Sequence, residues 1–148
     1  MATVDVVSEA IIPRPVGEVA DYAADPTNAP QWYANISEVS WETPPPLTVG
    51  TRVAFVARFL GRRLTYTYEI TDYVPRERLT MRTAQGPFPM ETSYTWESAA
   101  GGTRMVLRNR GEPAGFGAVA APVMSAAMKR ANAKDLAALS AVLQEAHR

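Results

Sequence analysis

One long amphipathic stretch closes this chain and constrains the fold more than any other feature. From about Ala114 to His147 the sequence reads as a single helix that follows a run of strand-like segments. On a 3.6-residue wheel Ala121, Met124, Ser125, Met128, Asn132, Leu136, Leu139 and Leu143 share one arc, and Arg130, Lys134, Gln144 and Glu145 lie opposite. A sheet must bury its apolar face against something, and no other segment predicts a long helix. Leu136, Leu139 and Leu143 can fill a core, but Ala121, Ser125 and Asn132 leave space or polarity where bulk is expected. A helix that closes a sheet without filling the gap implies a pocket.

The segments before it supply that sheet. Val4 to Ile12 alternates and ends at Pro13-Arg14-Pro15, a first strand. Pro15 suits the first turn of a helix, and Val16, Val19, Ala20 and Ala23 give a short helix one apolar face until Asp25-Pro26 stops it. A second short helix or turn, near Thr27 to Tyr33, ends in the pair Trp32-Tyr33, before a strand over Ile36 to Trp41 and a stiff Pro44-Pro45-Pro46 loop. The middle is a meander of period-two segments: Thr51 to Phe59, Leu64 to Ile70, Leu79 to Thr83, Met90 to Glu97 and Arg104 to Arg110. Turns at Gly61, Val74-Pro75-Arg76, Gly86-Pro87 and Gly101-Gly102 separate them. Such alternation predicts antiparallel strands with one covered and one wet face. The fold class is α+β.

The 148 residues predict a single domain, 1–148, with 47% hydrophobic residues and therefore a packed core. Lys+Arg and Asp+Glu each number 15, so no global field draws the chain to nucleic acid or to an acidic membrane. Cysteine is absent, which removes disulfides, thiolate nucleophiles and cysteine metal sites. No signal peptide and no membrane span are read, and the expected location is cytoplasmic.

In its order of motifs the chain resembles the START-like superfamily, the polyketide cyclase/dehydrase and lipid-transport group. The resemblance rests on Ile12-Pro13-Arg14-Pro15-Val16-Gly17-Glu18-Val19, on Asp25-Pro26, Pro30 and Trp32, on Tyr68-Glu69-Ile70-Thr71-Asp72-Tyr73 with Pro75 and Arg78-Leu79, and on Asp135-Leu136-Ala137-Ala138-Leu139. It implies a helix-grip fold: a curved antiparallel β-sheet wrapped around the long C-terminal helix, with two short helices after the first strand and a cavity inside. Members bind lipids, sterols, polyketides or plant hormones. Some cyclise or dehydrate polyketide chains, and others are chaperone-linked modules, so the fold does not settle activity.

Strand parity supplies the cavity wall. Tyr66, Tyr68, Met90, Thr92, Tyr94, Trp96 and Asn109 face inward, and Met124, Met128 and Asn132 face them from the helix. These ten are the candidate ligand-binding residues. Several have an apolar body and a polar tip, as small-molecule sites require, and an unsatisfied buried polar group costs roughly 1–3 kcal/mol. The methionines, Met81 among them, also suit ordinary core, and Trp32 suits a packed role better than a gate.

Catalysis is less legible, and no catalytic residue is assigned. His147, the lone histidine, reads as a solvated tail residue, so no triad, metal site or cofactor site is read. Glu69, Glu91, Glu97, Arg63, Arg82, Arg104 and Arg108 take the outer parity. A β-bulge would reverse that parity locally, and Asp72-Tyr73 is where one is expected. Asp135, near the inward arc, reads as a rim salt bridge rather than a general base. The leading expectation is a binder or carrier of a small hydrophobic molecule, with no nucleic-acid partner. The alternatives are a polyketide cyclase, aromatase or dehydratase using the same cavity, and a chaperone-linked interaction module using the outer sheet face.

Overall fold

The computed structural model describes residues 4–59, 61–86, 89–112 and 121–146. The expected helix start at Ala114, Pro87 of the Gly86-Pro87 turn, and His147 lie outside them. Strand β1 (Val4–Ile12) leads into helix α1 (Val16–Ala24), a 3-10 turn (Pro26–Asn28) and the one-turn helix α2 (Ala29–Trp32). Strands β2 (Ile36–Trp41), β3 (Arg52–Phe59), β4 (Arg62–Val74), β5 (Arg78–Gln85), β6 (Met90–Ala99) and β7 (Gly102–Gly111) follow, and helix α3 (Ala121–Glu145) ends the described chain.

All seven strands form one curled antiparallel sheet in the order β1-β7-β6-β5-β4-β3-β2. Hairpins join each neighbour from β2 to β7, and β1 crosses the whole sequence to pair with β7, Val4 opposite Gly111 and Ile12 opposite Thr103. Local chemistry sets the break after α1: the Asp25 carboxylate accepts the Thr27 N–H at 3.0 Å, and Pro26 opens the 3-10 turn. At the β6–β7 turn Gly102 has φ 142°, and a Cβ there would lie 2.1 Å from the Ile12 carbonyl oxygen. Only glycine lets β7 start so close to the end of β1.

The expected parity holds along most of the sheet and reverses at the expected bulge. Ile70 pairs with Met81 and Asp72 with Thr80, so one extra residue of β4 lies between them. Beyond it Asp72 turns outward to Arg78, 2.6 Å away, and Tyr73 moves to the inner side against the core. A second register shift, between Thr67 and Tyr68, places its extra residue on β5; no sequence signal marks it.

On the outer face charges pair across strands. Arg104 bridges Glu97 and Glu9, Arg108 meets Asp5, Arg52 meets Glu69, and Arg82 and Arg110 share Glu91. These pairs are exposed and screened, so they register strands and keep the face wet more than they hold the fold together. The inner face does the holding, in two clusters. The larger gathers Trp32, Leu79, Met105, Leu107, Leu136, Leu139 and Leu143; the smaller joins Val4, Val6, Leu64, Tyr66, Met90 and Met124.

Leu139 is fully enclosed at the centre of the larger cluster. Leu139→Ala is expected to lower stability by about 2–5 kcal/mol in urea unfolding. Val123→Ser, on the exposed side of the same helix, is expected to change it by less than about 0.5 kcal/mol.

Candidate functional site

Between the two clusters the sheet and α3 bound a partly open cavity of about 170 Å³ whose wall draws on both. The alternation of β4 presents Tyr66 and Tyr68, that of β6 presents Met90, Thr92 and Tyr94, and β7 adds Asn109. From α3 come Met124, Met128 and Asn132, spaced four residues apart and so stacked on one helix face. Nine of the ten candidate residues therefore line one cavity. The tenth, Trp96, does not: two residues beyond Tyr94 on the same strand face, it lies past the cavity end and packs edge-on to the Tyr94 ring at 5.9 Å, inside the larger cluster. Met81 also reaches the wall, so Met81, Met90, Met124 and Met128 border the void as well as the core, while Met105 stays inside the larger cluster.

Aromatic rings dominate the wall. Tyr66 and Tyr68 lie 5.9 Å apart, and Phe55 meets Tyr68 edge-on at 5.8 Å. Gly86 passes close over Tyr66; a Cβ at that position would sit 2.7 Å from the ring. Trp32, buried, stacks on Tyr33 at 4.0 Å and approaches Tyr94 at 5.9 Å, so it packs and borders the cavity at once.

The polar groups fall into three sets. In the first, the Tyr33 and Tyr94 hydroxyls share a short hydrogen bond. Burial pushes both phenols up; the neighbouring Tyr94 raises Tyr33 further, and the bond from Tyr33 partly offsets the effect at Tyr94. In the second, the Thr92 hydroxyl donates to Asn109 Oδ1 at 2.8 Å. Burial carries the Tyr68 phenol to about 12, opposed by its hydrogen bond with Thr92, and burial also raises Tyr66. All four phenols are neutral at ordinary pH, able to donate a hydrogen bond but poor as bases. The third is Asn132. Its residue is 5% exposed and its amide nitrogen is enclosed with no hydrogen-bond partner among the described residues. Among the described residues no group of three His, Asp or Glu side chains could hold a metal ion.

Asp135 corrects an expectation. It makes no rim salt bridge among the described residues; it is 3% exposed, borders the cavity, and accepts the Ala34 N–H at 3.0 Å. One turn above Asn132 on α3, it turns inward because i and i+3 share a face. Its place near the inward arc is the one the helical spacing predicts; the salt-bridge role is what the structure replaces. Tyr33 was missed as a wall residue, because it sits in the α2–β2 connection where no periodicity assigns a direction. Arg58, whose backbone N–H donates to the Asn35 carbonyl beside Ala34, also borders the cavity; it is exposed and pairs with no carboxylate among the described residues.

Burial raises the Asp135 carboxyl to about 6, with the Ala34 N–H opposing. A carboxyl raised above its unfolded value stabilises the fold fully below about pH 4, and that contribution is lost as pH rises through about 6. Asp135→Asn keeps an acceptor for Ala34 and removes the charge. Its gain in stability over the parent is expected to grow from pH 4 to pH 6 and to level off above, at up to about 3 kcal/mol, read by thermal unfolding across that range. A gain independent of pH would show that the carboxyl is not ionising in place.

Known structures share this architecture. The protein TTHA0849 from Thermus thermophilus is similar at a TM-score of 0.83 and 21% identity, covering 97% of this chain and 99% of that one. The Zhui aromatase/cyclase from Streptomyces sp. R1128 is similar at 0.79 and 17%, covering 99% and 96%. A START superfamily protein from Mycobacterium smegmatis is similar at 0.76 and 11%, covering 98% and 99%. At these identities the likeness is one of fold. Among curated proteins, none matches the sequence. A family model described as polyketide cyclase / dehydrase and lipid transport matches residues 3–144, so with its curled sheet, closing helix and matching length the chain belongs to that family.

Proposed function

We propose that this protein binds a small hydrophobic molecule in the cavity between the sheet and α3, and that it acts as a binder or carrier. The observation that carries this reading is the wall itself: aliphatic, methionine and tyrosine side chains around about 170 Å³ of space, interrupted by a few hydrogen-bonding groups. A packed core leaves few voids larger than a water molecule. Leaving this one open forfeits dispersion contacts along its whole lining, a cost that an occupant offsets. Met124 and Met128 lend the helix side flexible surface that adapts to a guest. The Tyr66, Tyr68 and Tyr94 phenols supply orientation without charge.

A cyclase or dehydratase reading draws on one specific arrangement. Asp135, its carboxyl raised to about 6, and the paired Tyr33 and Tyr94 hydroxyls border the same cavity. A carboxyl held partly protonated near neutral pH can donate a proton to a carbonyl oxygen, and neutral phenols can polarise one. This reading requires turnover, whereas the binding reading does not. An interaction module working through the outer face has no use for the cavity and draws no support from it.

Native mass spectrometry of protein purified from its own host is expected to show a retained small molecule. Met128→Trp, which fills the cavity from α3, is expected to reduce that retained fraction at least about tenfold with the circular dichroism spectrum unchanged. Retention undiminished by Met128→Trp would place the ligand elsewhere. For the enzymatic reading, a poly-β-ketone surrogate should be consumed by the parent, and Tyr94→Phe and Asp135→Asn should each slow it about 10²-fold or more; equal rates in all three proteins would end it.

A further inference from the structure

The cavity's size, charge and single unpartnered amide together narrow the class of occupant. Its volume is about 170 Å³, close to the roughly 150 Å³ of an apolar cavity that takes one benzene. Sites for drug-sized ligands run from about 300 Å³ upward. One ring with a short substituent, or a chain of similar bulk, matches this interior space; a fused polycycle or a two-tailed lipid exceeds it.

Charge narrows it next. Among the described residues the one cation that borders the cavity, Arg58, is exposed, and the buried part of the wall offers tyrosines, amides, a threonine and the Asp135 carboxyl. An anion drawn inside would lose its water, find no buried positive partner, and face Asp135. The occupant's buried part is therefore uncharged.

Hydrogen bonding narrows it further. The Tyr33 and Tyr94 hydroxyls satisfy each other, and Thr92 is engaged with Asn109. Two wall residues, Trp32 and Asn132, carry an enclosed nitrogen with no partner among the described residues; the Trp32 ring is packed into the larger cluster against Tyr33 and Tyr94, whereas Asn132 holds an amide with two hydrogens to donate. Leaving such a donor unmet in an apolar interior is costly, and the torsion at the end of an asparagine side chain is soft enough to turn the N–H toward the void. We infer that the occupant is a compact, neutral carbonyl compound, one ring or its equivalent in bulk, whose oxygen accepts a hydrogen bond from the Asn132 amide. This rests on the reading of the cavity as a binding site, and it assigns Asn132 as the residue that selects for the carbonyl.

Four probes test it by calorimetry or ligand-observed NMR: acetophenone, ethylbenzene with the same shape and no carbonyl, benzoate of the same size with a charge, and anthrone with three fused rings. Acetophenone is expected to bind about tenfold more tightly than ethylbenzene or benzoate, and anthrone not to enter. Asn132→Leu keeps the bulk and removes the donor. It is expected to abolish the preference for acetophenone over ethylbenzene, to leave ethylbenzene binding intact, and to hold or raise Tm because an unmet buried amide is gone. Tightest binding by benzoate or anthrone overturns the occupant class and leaves the cavity-binding reading standing. Equal weakening of acetophenone and ethylbenzene in a folded Asn132→Leu overturns the selecting role of Asn132. No binding by any of the four, at concentrations up to millimolar, removes the binding reading as well.

Discussion

The structure depends on one mismatch: a curled seven-stranded sheet offers a long concave face, and a single helix must cover it. A helix of 25 residues is long enough to cross the sheet but too narrow to fill the hollow. The C-terminal half solves the problem with bulk, since Leu136, Leu139 and Leu143 reach into the larger cluster and are buried there. The N-terminal half does not, because Ser125, Met128 and Asn132 alternate small, flexible and polar groups along the same face. Buried apolar area at roughly 25 cal/mol per Å² makes the leucine half the anchor. The other half is freed to be a wall.

Polarity inside that wall is arranged economically. Tyr33 with Tyr94, and Thr92 with Asn109 and Tyr68, satisfy one another across elements far apart in sequence. Such cross-links hold the α2–β2 connection, the neighbouring strands β6 and β7, and β4 on the far side of β5 in one geometry, since a half-satisfied network in a low dielectric is costlier than none. Asp135 extends the same logic to the backbone: its hydrogen bond to Ala34 ties the connection carrying Tyr33 to the helix carrying Asn132. The price is a carboxyl that resists ionising.

Much of this was legible from residue patterns, and the gaps have physical causes. Period-two alternation is robust where a strand has one wet face, so the inward faces of β4, β6 and β7 and their tyrosines could be named from parity alone. Strand ends were less so: β4 and β7 each extend past the alternating core, because hydrogen bonding to a neighbour continues where side-chain contrast has faded. Trp96 shows the limit of parity, which tells which face a side chain takes but not how far along the strand a cavity reaches. Asp135 shows a different limit. A carboxylate is expected at the surface because burying its charge is expensive, and the backbone N–H that makes this burial tolerable comes from Ala34, a partner 101 positions away that no local pattern announces.

The pairing of β1 with β7 has a bearing on how the chain is made. Val4 finds its partner only at Gly111, so on a ribosome adding about 5–20 residues per second the first strand waits on the order of several seconds for the seventh. The hairpins from β2 to β7 need no such wait, since each strand pairs with the one just made. The cavity, however, takes Val4 into its wall and α3 as its cover, so the two ends of the chain must arrive before it exists. Until then the inner face of the growing sheet, tyrosines included, stands open to water and to other chains.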